Sequence, residues 1–150
     1  LPQERVDLLV RAAALHELGR LASRPEETER LQGRPESSGA HYAASVMAVE
    51  RLLAPIASLR HVREIILRSA EWFDAASDPL IPDGAGVPIE SRILATCEEF
   101  VALSAGAGDA VAVAHVLKSF RKRRGRKHDP EVVAALVRVV EAGGPPGGAR

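Results

Sequence analysis

Apolar residues along this chain recur with the spacing of a helix surface. From Glu4 to about Ala22, the residues Val6, Leu9, Val10 and Ala13 fall at i, i+3, i+4 and i+7, and Gly19 weakens the far end. Pro25-Glu26-Glu27 opens a second, short helix, with proline in the first turn and acids favouring its N-terminal dipole, and Gly33 and Pro35 break it. A third helix runs from about Glu36 to Leu53 on Ala43, Val46, Met47, Val49 and Leu53, and Pro55 ends it. A fourth covers roughly Leu59 to Trp72 through Val62, Ile65, Ile66 and Ala70.

Asp74 to Pro88, with three prolines, two glycines and three aspartates, reads as a loop. Glu90 to Leu103 is helical again, on a stripe of Ile93, Leu94, Cys97, Phe100 and Val101. Gly106 and Gly108 separate it from a helix near Asp109 to Arg123. The last helix starts at an Asp129 N-cap followed by Pro130 at N1, and it ends at Gly143-Gly144. Nothing alternates with a period of two, and there is no internal repeat. The expectation is an all-α, single-domain bundle of about six to seven helices over residues 1–142, with 143–150 as a disordered Gly/Pro tail.

Composition narrows the function classes. Of the 150 residues, 46% are hydrophobic, 27% charged and only 3% aromatic, which fits a globular domain with an aliphatic core. Formal charge balances to zero, so no global field draws the chain to nucleic acid or a membrane. One cysteine, Cys97, excludes an internal disulfide and fits a reducing compartment. It falls on an apolar face and is expected to be a small buried hydrophobe. No apolar run approaches the ~20 residues of a bilayer span. There is no secretory leader, so a cytoplasmic location is expected. The chain opens on Leu1 and reads as a piece of something longer.

Candidate chemistry begins at "ALHELGRL", where His16 and Glu17 stand side by side inside an apolar run. "AALHELGRL" resembles the segment "AALLHDIGKL" of the HD-domain phosphohydrolases, with His16-Glu17 at the His-Asp pair and Arg20 at the lysine. "GRPESSGAHYA" is similar to the family's following His-Pro-Glu segment, with Arg34 in place of its histidine. "SAEWFDAASDP" resembles "HHERWDGSGYP" of the HD-GYP subfamily. "PDGAGVPIESRILATCEEFVAL" is similar to "PDGLKGEEIPLEARILAVADVFDAL", and "HDPEVVAAL" to "FDPEVVEAF". The likeness spans about residues 3 to 139.

The resemblance implies a helical bundle that cups two or three metal ions and hydrolyses cyclic di-GMP or related phosphodiesters. Such a centre polarises the phosphate and makes hydroxide from water near neutral pH. Position by position, however, the implied ligand set is depleted. His16 is retained, and Glu17 stands for the bridging Asp with one methylene more. Arg34 is a permanent cation that cannot coordinate. Ser69 and Ala70 stand at the tandem histidines, Glu98 at the last Asp, and Val101 at the second acid of that segment. Ser77-Asp78-Pro79 replaces Gly-Tyr-Pro, in a loop remnant that also holds Glu71 and Asp74. Residues that shape the fold survive, among them Gly19, Pro35, Glu36, Arg92 and Phe100.

The expectation is therefore a degenerate domain with no cofactor, in which Arg34 neutralises Glu17 and Glu98 where metal once sat. The alternative is one divalent ion, Mn or Fe, on His16, Glu17 and Glu98. Glu71-Trp72-Phe73-Asp74 forms either core beneath the loop or an edge on which a ligand stacks. His41, His61, His115 and His128 are at no metal-ligand spacing and are expected at the surface or in loops. "RKRRGRK", comprising Arg121, Lys122, Arg123, Arg124, Arg126 and Lys127, is either a solvated connection or a phosphate grip. The function expected is a regulatory or protein-interaction module in bacterial signalling, partnered by other protein domains. The rivals are a phosphodiesterase with a reduced metal site and a non-hydrolytic module that binds a cyclic dinucleotide. Nucleic acid and membrane are not expected partners.

Overall fold

The computed structural model describes residues 1–22, 37–71, 73, 86–104, 110–123 and 125–143. Among these residues the chain is all-helical, with seven α-helices, one 3-10 helix and no paired sheet. They are α1 (Gln3–Leu15), α2 (Leu18–Ala22), α3 (Ser37–Leu53), the 3-10 turn Ala57–Leu59, α4 (Arg60–Arg68), α5 (Ile89–Ser104), α6 (Ala110–Arg123) and α7 (Pro130–Gly143). No described helix is long and apolar enough to cross a membrane. The helix expected at Pro25, most of the Asp74–Pro88 loop, and the Gly/Pro tail beyond Gly143 lie outside the described residues.

The chain divides into two compact units, Leu1–Ala70 and Glu71–Arg150. In the first, α1 packs on α4, α2 on α3, and α3 on α4. Its buried hydrophobic residues are aliphatic, Ala12, Val46, Ala48, Val49, Leu53, Val62, Ile65 and Ile66, and His16, Ser45 and Ser69 are buried beside them. The run expected as one helix to Ala22 is two. α1 stops at Leu15, the His16 ring turns back onto the Ala13 carbonyl (2.6 Å), and the Gly19 amide donates to the His16 carbonyl. The expected stripe on α1 holds in part: Val6 and Leu9 are half-buried together with Leu8 and Leu15, but Val10 and Ala13 are exposed and Ala12 is buried instead. Beyond the break, α2 meets α3 at Gly19, whose missing Cβ makes room for the Ser45 carbonyl and hydroxyl.

The helix expected from Leu59 to Trp72 is also shorter, ending at Arg68. The Ser69 hydroxyl donates to the Ile66 carbonyl at 2.6 Å, and the Ala70 amide turns to Leu67 instead.

In the second unit α5 contacts α6 and α7, which also contact each other. Phe100, Val113, Leu117, Phe120, Val133, Val137 and Val140 form its core, with Phe100 and Phe120 edge to face at 6.3 Å. α7 is capped as expected, the Asp129 carboxylate accepting from the Glu131 amide at 2.8 Å. The expected stripe on α5 is corrected in part. Leu94 and Phe100 are buried, but Cys97 and Val101 are exposed, and Glu90, Ser91 and Thr96 are buried instead. Thr96 faces inward with its hydroxyl on the Arg92 carbonyl at 2.8 Å and beside the His128 ring.

Candidate functional site

The His16-Glu17 pair sits in the break between α1 and α2. The Ala13 carbonyl can only accept, so His16 Nδ1 carries a proton and donates to it. This fixes the ring with Nε2 facing Glu17 Oε1 at 3.2 Å. The imidazole is buried, whereas Glu17 is 52% exposed and keeps its carboxylate in water. With a protonated ring the two form an ion pair; with a neutral ring the lone pair of Nε2 lies buried beside the carboxylate. A backbone carbonyl on Nδ1 is also how metal-ligating histidines are commonly oriented.

Ser69 and Ala70 close α4 in the same unit. Ser69 is buried, and its hydroxyl proton is committed to the Ile66 carbonyl; Ala70 has no ligand atom. Imidazole and carboxylate groups are the usual donors to a binuclear centre. Ser69 and Ala70 offer neither.

Glu98 belongs to the second unit and is half-buried on α5, beside Cys97. Partial desolvation of the sulfur, and then the Glu98 carboxylate, push the Cys97 thiol above its ordinary value. Glu71 is described and half-buried. Arg34, Asp74, Ser77, Asp78 and Pro79 lie outside the described residues, and with them the pairing of Arg34 with Glu17 and Glu98.

Of the basic run, two members already hold acids. Arg121 pairs with Glu141 at 2.7 Å, and Lys127 pairs with Glu99. Lys122 and Arg126 are exposed, Arg123 ends α6, and Arg124 lies outside the described residues.

A polar cluster outside the expected site residues ties α5 to the turn before α7. His128, expected at the surface, is buried at 2% exposure, with its ring 4.9 Å from that of Phe120. Its Nε2 meets Glu99 Oε2 at 3.1 Å, and its Nδ1 meets Thr96 Oγ1 at 3.3 Å. Nearby, Arg92 pairs with Asp129 at 2.8 Å, donates from Nε to the Val87 carbonyl at 2.7 Å and lies over the Phe73 ring at 5.7 Å. The Phe73 amide donates to the Lys127 carbonyl at 3.2 Å. Gly125, at φ +82°, turns the chain so that its amide reaches the His128 carbonyl at 2.8 Å. Burial alone would raise the Glu99 carboxyl, but the hydrogen bonds and charge of His128 and Lys127 outweigh it and hold the group at about 2. A carboxylate three residues from Thr96 on one helix, with "KHDP" beyond the next, was the available signal.

A family model described as the HD domain matches residues 1–132, both units included. The chain belongs to the HD-domain family. No curated protein and no solved structure matches it. Within this HD domain the histidine of the paired segment is present and oriented, while the end of α4 offers a hydroxyl and a methyl group.

Proposed function

We propose that this HD domain is a degenerate member of the HD-GYP type, a regulatory or protein-interaction module that does not hydrolyse phosphodiesters. The observation that carries the reading is the end of α4. There Ser69 spends its proton on its own helix and Ala70 has nothing to coordinate with, at the positions where the resemblance places two histidine ligands. Lengthening the carboxylates at positions 17 and 98 by a methylene works in the same direction. A helical scaffold that has lost turnover keeps outer faces able to dock another protein domain. This step rests on fold-level analogy.

The orientation of His16 favours one second reading, a single divalent ion, Mn or Fe, held through the His16–Glu17 pair. Elemental analysis of protein loaded with manganese or iron separates the two. The proposal expects fewer than one ion per chain and no hydrolysis of cyclic di-GMP or bis-(p-nitrophenyl) phosphate. One bound ion with hydrolysis abolished by His16→Ala establishes the second reading. Calorimetry with cyclic di-GMP tests binding without turnover.

A further inference from the structure

We propose that the outer face of α6, with the turn that follows it, docks a carboxylate-rich segment of a partner protein. Residues 110–127 hold seven of the chain's 20 lysines and arginines and none of its 20 acids, which leaves 13 cations against those 20 acids elsewhere. Helix geometry turns this local excess into a surface. Val113, Leu117 and Phe120 are buried in the core of the second unit, and the opposite arc presents His115, Lys118, Arg121 and Lys122 to solvent. Arg126 is exposed in the turn beyond.

Two cations of this run meet acids of the same unit, Arg121 on Glu141 and Lys127 on Glu99. Among the described residues, Lys118, Lys122 and Arg126 form no ion pair. Packing does not call for this. Lys118 and Lys122 lie one turn apart, where like charges repel, and an acid at either place would support α6 better. The negative end of the helix dipole, about half a unit charge, offsets only part of the excess.

The arc bears no large apolar side chain to enter a bilayer and no Phe, Tyr or Trp on which bases would stack. A nucleic-acid duplex longer than the face also meets a chain whose remaining charge is negative. A short acidic segment meets the local cations alone, within the ~8 Å reach of charge at physiological salt. Arg121 and Lys127 each take a glutamate, from α7 and from α5, and a docked acidic segment extends that pattern to the cations beside them. The inference names the kind of partner for the interaction module proposed above and rests on that reading.

The test is fluorescence anisotropy of the full chain with a labelled oligoglutamate peptide. It uses neither metal nor nucleotide, so its failure is distinct from that of the metal and hydrolysis assays. Saturable binding is expected, weakened about tenfold or more by Lys118→Glu combined with Lys122→Glu. Arg51→Glu combined with Arg60→Glu makes the same charge change at exposed positions of the first unit and should leave the affinity within about twofold. Equal weakening by both pairs, or no binding at low salt, overturns the proposal. Tighter binding of duplex DNA at the same salt overturns it in favour of a nucleic-acid face. Should the reversed pair not fold, Lys118→Gln combined with Lys122→Gln removes the charge while keeping the polar surface. Binding should weaken there too, and an unchanged affinity overturns the proposal.

Discussion

At position 19 a single methyl group decides whether α2 can close on α3. A Cβ there would overlap the Ser45 carbonyl, which is backbone and cannot swing aside. Gly19→Ala should destabilise the protein by about 1 to 3 kcal/mol, seen as a lower denaturant midpoint, whereas Gly143→Ala, with open space around it, should not. Cys97 tests the correction to its burial. It should react with a disulfide reagent without unfolding, but slowly near neutral pH, because its thiol is pushed up by desolvation and Glu98. Glu99 sets an acid limit to stability. Its folded value lies below the unfolded one of about 4.3, so its contribution is complete above that value and lost as pH falls toward about 2. Acid titration of Glu99→Gln should lack that component.

At the scale of elements, helical periodicity made the helices legible and their ends less so. Pro55 and the Asp129-Pro130 pair mark real boundaries, since a missing amide and a capping carboxylate act locally. The breaks at His16 and Ser69 were not legible, because each depends on a side chain folding back on a carbonyl three residues earlier. His128 was misplaced for a related reason. It stands where the similar family segment has phenylalanine, and its ring fills such a place on Phe120 while its nitrogens take polar partners from α5. α7 offers the direct test. Asp129→Ala removes the cap and the ion-pair partner of Arg92, and it should cost about 2 kcal/mol or more in thermal or denaturant unfolding.

For the whole molecule, motif spacing across residues 3 to 139 carried the family, and the family match confirms it at the level of the HD domain. The candidate site was legible as a list of replaced residues, and its geometry is visible only in part: His16 with Glu17, and Ser69 with Ile66. Arrangement around a metal depends on groups converging from distant segments, which no local pattern records. If the fold is not clamped by metal, treatment with a chelator should leave the melting temperature unchanged. A drop of several degrees would favour the single-ion reading.

The tie between residue 73 and the carbonyl of Lys127 is made by main chain alone. Evolution can therefore rewrite the side chain at 73 without severing it, and only proline withdraws the donor. An exchange of Phe73 for leucine thus strips the guanidinium of its aromatic seat while sparing the join, and an exchange for proline does the reverse damage as well. Comparing the two assigns each its share of the strength with which the second unit is sewn shut.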